Sequence, residues 1–132
     1  MAGGVSIRNL TRRKAPRLPF GAVAKEVLPS WEISLVFVPE AKAKALNKKL
    51  RKKTYTPNVL SYEAGNKTGE IIICPQVAKQ QAPSYGLTME MFMLHLFIHG
   101  CLHLKGYPHG ATMDRREQKL LAKFAKPPFA HH

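Results

Sequence analysis

The chain is short of acid. Its 132 residues hold eight Asp and Glu against 21 Lys and Arg, a formal net charge of +13 at pH 7. Such an imbalance predicts attraction to polyanions, with nucleic acid first among them. The alternative is a basic surface that serves only solubility. Cysteine is scarce too: Cys74 and Cys101 are too few for a disulfide scaffold and fit a reducing compartment. No apolar run reaches the roughly 18 residues that a membrane-spanning helix requires. Residues 1–8 contain no apolar signal core, and Ala2 does not match the N-myristoylation pattern. These absences predict a soluble, cytoplasmic protein without a membrane partner. There is no internal repeat and no composition shift to mark a second domain, so residues 1–132 are expected to form one domain. The 45% apolar content is enough for a real core.

Periodicity outlines the elements that are present. Residues 5–10 alternate apolar and polar, the pattern of a strand with one buried face. Phe20, Val23, Ala24, Val27 and Leu28 recur at helical spacing. Residues 31–38, rich in β-branched and aromatic side chains, read as a strand. Residues 41–52 read as a helix with Ala43, Leu46 and Leu50 on one side and Lys42, Lys44, Lys48, Lys49, Arg51 and Lys52 on the other. That cationic side is either a solvated face or a surface that tracks phosphates. Residues 59–62 and 70–74 are expected to pair as a hairpin around a loop at 64–69, with a short helix at 76–81. Thr88 is a good N-cap for a long apolar helix, and Gly106 is expected to cap its end. Thr112 is expected to cap a last helix that carries Met113, Leu120, Leu121 and Phe124 and ends at Pro127-Pro128. His131 and His132 are assigned no role. The expected architecture is a single α+β domain with a mixed sheet of about four strands, helices packed on it, and a central helix bearing H-x3-H.

The apolar helix carries the chemistry. Residues 91–109 hold four of the six histidines. His99 and His103, four residues apart, lie on one helical face one turn apart. Gly106 allows the chain to turn so that His109 can reach back. Three neutral imidazoles with an open fourth position form the pattern of a catalytic zinc site. One ion of Zn2+ held by His99, His103 and His109 is therefore expected. Cys101 lies about 200° round the helix from His99 and is excluded as a ligand. His95, one turn before His99, is either a hydrogen-bonding support for a ligand or a packed core histidine. A zinc peptidase of the H-E-x-x-H kind needs a Glu after its first histidine, but Gly100 stands there. A phosphodiester substrate instead needs cations, which abound.

The segment His99-Gly-Cys-Leu-His-Leu-Lys-Gly-Tyr-Pro-His109 closely resembles the H-G-x-L-H-L-x-G-Y-D-H signature of the YbeY family of zinc-dependent endoribonucleases. Leu46-Asn47, Arg51 and Asn58-Val-Leu-Ser-Tyr62 resemble that family's L-N…Y-R…D-V-L-S-F block, and Gly69-Glu-Ile-Ile-Ile-Cys74 its G-D-I-x-I-S strand. The likeness runs from about residue 31 to 124. It implies an α+β fold with a cleft beside the metal. It also implies that His99, His103 and His109 are the zinc ligands and that Arg51 is a functional arginine, suited to phosphate binding or charge stabilisation. Pro108, Asn58 and Glu70 stand where the family pattern has Asp.

Together these readings predict a zinc-dependent, single-strand-type endoribonuclease of rRNA processing and ribosome maturation. Arg51 and His99 would be catalytic, and Arg51, Lys48 and Lys52 would hold the RNA backbone. RNA and the ribosome are the expected partners and a monomer the expected state. One alternative is a non-catalytic RNA- or ribosome-binding assembly factor with a structural metal. A second is a metal-dependent hydrolase, peptidase-like, of another substrate.

Overall fold

Two strands with apolar side chains on both faces set the layers of the molecule. In the computed structural model, which describes residues 4–125, β2 (Glu32–Phe37) and β4 (Thr68–Ile73) lie side by side and parallel. Leu35, Phe37, Ile71 and Ile73 point to one face, while Val36 and Ile72 point to the other. This alternation follows from the two-residue period of a strand and explains why the runs are continuously apolar: both faces are covered. Strand β1 (Gly4–Asn9) pairs parallel with β2, and β3 (Val59–Gly65) pairs antiparallel with β4, giving the order β1-β2-β4-β3.

The larger cluster packs α1 (Phe20–Val27), α4 (Met89–Lys105) and α5 (Ala111–Phe124) against the first face. The smaller one brings Ala43 and Leu46 of α2 (Glu40–Arg51) and Val77 of α3 (Pro75–Gln81) to the second. A single 3-10 turn, Ala82–Tyr85, links α3 to α4. The result is the expected α+β domain with a four-stranded mixed sheet and a central helix carrying H-x3-H. No single helix among the described residues is long and apolar enough to cross a membrane, and α4 is largely buried within the protein.

Helix α4 starts and stops as its sequence predicts. Thr88 Oγ1 accepts a hydrogen bond from the Met91 amide at 3.1 Å, and Gly106 closes the helix with a φ of 108°. Its passage over the sheet is close at Gly100. A Cβ there would lie 3.1, 3.2 and 3.3 Å from three side-chain carbons of Ile71. The position after His99 is thus small because the helix rests on β4 there.

Three expectations need correction. Thr112 lies inside the first turn of α5, whose N-cap is Gly110. The hairpin connection is shorter than residues 64–69: β3 runs through Gly65 and β4 begins at Thr68, with Lys67 taking a positive φ of 50° in the tight turn. On α2, Leu50 is 44% exposed and Asn47 is fully buried in its stead. Asn47 Nδ2 donates to the Tyr55 carbonyl at 2.9 Å, so the loop after α2 pairs the amide nitrogen of this buried group, while its Oδ1 has no partner among the described residues. The ending at Pro127-Pro128 and the two last histidines lie outside the described residues.

Candidate functional site

At the edge of the sheet, α2, the start of β3, α4 and the α4–α5 loop enclose an open cleft of about 230 Å³. Arg51, Asn58, Ser61, His99, His103 and His109 line it. All three histidines singled out by spacing therefore share one cavity with Arg51. Lys48 and Lys52 are not among its lining residues. They stand exposed on either side of Arg51 in sequence. Lys52 takes the left-handed conformation that ends α2.

Each helical histidine has one ring nitrogen engaged. Glu117 Oε2 on α5 meets His99 Nδ1, and Ser61 Oγ on β3 lies 2.9 Å from His103 Nδ1. A carboxylate accepts only, so the neutral form of His99 with its proton on Nδ1 fits this contact and keeps the Nε2 lone pair free; the Ser61 hydroxyl can hold His103 in the same tautomer. Such support is what orients metal-binding imidazoles. The His99 and His109 rings stack with centroids 5.2 Å apart, and those of His103 and His109 are 6.0 Å apart. Among the described residues no three His, Cys, Asp or Glu side chains have donor atoms already gathered to metal-binding distance. The donor set nevertheless fits zinc: three imidazoles line one cleft, two of them on pre-oriented rings, with His103 and His109 exposed enough to turn. Burial first, and then the charges of His109, His99 and Arg51, hold His103 below the ordinary histidine pKa, which favours its ligating neutral form.

Neither Glu117 nor Ser61 emerged from the sequence as a site residue. Glu117 had a signal. It occupies the apolar stripe of α5 between Met113 and Leu120, where an acid is buried to 5% exposure only with a partner. Ser61 lay within the family-like block but carried no assigned role. His95 does not line the cleft. Its ring stacks on Phe92 at 5.8 Å, and its Nε2 lies 3.7 Å from Glu117 Oε1, so it packs and also touches the carboxylate that orients His99. Cys101 is fully buried, as its place on the helix requires, and burial raises its thiol pKa.

Two of the departures from the family pattern bond residues outside the cleft, although Asn58 also lines it. Asn58 Nδ2 donates to Gln81 Oε1 at 2.8 Å and fastens α3 to the entry of β3. Glu70 accepts from the Tyr62 hydroxyl on the opposite face of β4 from Ile71, and burial together with this carboxylate pushes the Tyr62 pKa up to about 12. Arg51 Nη1 donates to Tyr55 Oη at 3.2 Å.

Fold and site thus define an α+β domain with a histidine-lined cleft where a mixed sheet, a buried helix and its returning loop meet. Residues 11–125 match the family described as Endoribonuclease YbeY, starting well before the residue-31 limit of the motif likeness. The chain belongs to that family. Among its relatives, the Endoribonuclease YbeY of Neisseria meningitidis is 42% identical over 114 residues, covering 73% of this chain and 68% of the relative. That of Stutzerimonas stutzeri is 35% identical over 113 residues, covering 75% and 71%. A solution structure of a Thermotoga maritima protein superposes with a TM-score of 0.65 at 26% identity, covering 91% of this chain and 89% of that one.

Proposed function

We propose that the protein is a zinc-dependent endoribonuclease that cuts unpaired RNA during rRNA processing and ribosome maturation in the cytoplasm. The observation that carries this reading is the meeting of His99, His103, His109 and Arg51 in one cleft, with Glu117 and Ser61 holding the two helical imidazoles by Nδ1. His99, His103 and His109 would hold the ion. When bound, zinc supplies Lewis acidity toward water or a phosphoryl oxygen. Arg51, always charged and braced by Tyr55, would bind the phosphate and offset the charge that builds there. Lys48 and Lys52, outside the cleft, would attract the flanking backbone. The two cysteines, both free and buried, accord with a cytoplasmic setting.

A peptidase reading loses support at Gly100. The general base of the H-E-x-x-H arrangement would have to stand where the helix already touches Ile71. The binding-factor reading keeps one observation in its favour: no carboxylate is among the described residues lining the cleft. One experiment decides between them. Structured rRNA fragments are incubated with the metal-loaded protein, with and without chelator, alongside His99→Ala and Arg51→Ala. The nuclease reading expects chelator-sensitive cutting that both substitutions abolish. Unchanged RNA in every lane, with RNA still bound, would establish the binding factor instead.

A further inference from the structure

We propose that Tyr55 and Tyr85 are nucleobase-stacking positions beside the histidine cleft, each recognising an unpaired base next to the phosphate held there. The inference rests on reading the cleft as an RNA site. Among the described residues only two aromatic side chains are strongly exposed, Tyr55 at 53% and Tyr85 at 59%. Tyr55 adjoins the cleft through Arg51, and Tyr85 lies farther off, beside His95 on α4. Tyr55 follows α2, and its hydroxyl receives the Arg51 guanidinium, which lines the cavity. Tyr85 ends the 3-10 turn, with its ring centroid 6.3 Å from that of His95, one turn before His99 on α4. A ring spacing and a helical turn put Tyr85 roughly 12 Å from His99.

A stacking platform needs a ring fixed in place with a face left open, and both tyrosines meet that need. The Tyr55 carbonyl is held at 2.9 Å by the fully buried Asn47. The Tyr85 ring rests 4.7 Å from the buried Phe92 ring, and Gly86 turns the chain away with a φ of 68°. Tyrosine loses little conformational entropy on binding, and a π-face accepts any base. Lys52 and Lys53 precede Tyr55, and Lys79 precedes Tyr85, so each ring has cations near in sequence for the adjoining phosphates. In a duplex the bases are stacked on one another and closed to both rings, so the pair would select unpaired strands.

Fluorescence anisotropy tests this with three probes: a single-stranded RNA, the same strand in a duplex, and the same strand made abasic, each checked on a gel to be uncut. The purified chain should bind the base-bearing single strand about tenfold or more tightly than the abasic one. Tyr85→Ala should weaken the base-bearing strand about tenfold while changing the abasic strand little, and Tyr55→Ala, which also removes the brace on Arg51, should weaken the base-bearing strand about tenfold more than the abasic one. The Phe variants should retain affinity, and Tyr55→Phe also separates stacking from the bond to Arg51. Equal affinity of the unmodified chain for abasic and base-bearing strands would overturn the proposal, with no variant needed to fold. Equal losses on both probes in the Ala variants would do so too. A protein that fails to cut RNA can still show these preferences, and one that cuts RNA while ignoring its bases refutes the stacking alone.

Discussion

Glu117 is the residue through which α5 acts on the cleft. It is buried, it bonds His99 Nδ1, and His95 stands on its other oxygen. Glu117→Gln should leave the fold intact but weaken zinc binding by about 10- to 100-fold, as losses of outer-shell partners do. Competition with a chelating dye measures it, and unchanged affinity would remove Glu117 from the site. His95 itself titrates below the ordinary histidine pKa of 6.5, mainly because burial disfavours its charged form, although Glu117 pulls the other way. Below pH 6.5 the unfolded chain therefore takes up more protons at this position than the folded one. Stability should be level above that pH and fall as pH drops toward the folded pKa. Urea melts from pH 8 to 5 would show it, with His95→Asn giving a shallower decline. Gly100→Val should cost about 2 kcal/mol by crowding Ile71, read as a lower urea midpoint.

At the scale of elements, α4 is the member on which the site is registered. Its N-cap lies at Thr88, and the cleft-lining histidines begin about three turns later. Thr88→Ala should therefore lower stability by about 1 kcal/mol and leave zinc affinity unchanged, because the lost bond is far from the ligands. A calorimetric melt and a metal titration on one preparation would separate the two effects. Much of this element was legible in advance. Its Thr, its apolar run and its Gly are local signals, and the i, i+4 spacing of His99 and His103 is a property of any helix. The end of α2 was read less well. Leu50 looked like core by spacing, but the loop to Tyr55 buries Asn47 instead. Thr112 looked like a cap by type, but the chain turns into α5 at Gly110. Both errors came from choices made by neighbouring loops, which helical periodicity does not encode.

For the whole molecule, the charge of +13 sets the terms of any encounter with RNA. Affinity for a single strand should fall linearly with salt on logarithmic axes, with a slope of about −0.7 for each phosphate neutralised. Lys48→Ala and Lys52→Ala should each flatten that slope by about one such contact and weaken all sequences alike. A slope unaffected by both would mean that α2 only keeps the protein soluble. The sequence by itself determined the elements, the mixed α+β order, the excess of positive charge and the three imidazoles. These depend on composition and on periods of two or four residues. Only the tertiary structure decided that Arg51 joins those imidazoles, that Ser61 and Glu117 orient two of them, His103 and His99, from 42 and 18 residues away, and that Asn58 and Glu70 turn to other partners. Contacts between residues so far apart arise when a sheet and its helices pack, and no local pattern in the chain records them. The histidine cluster is written along one helix and the loop after it, but the cleft that gives it a use forms only where α2 and β3 meet them.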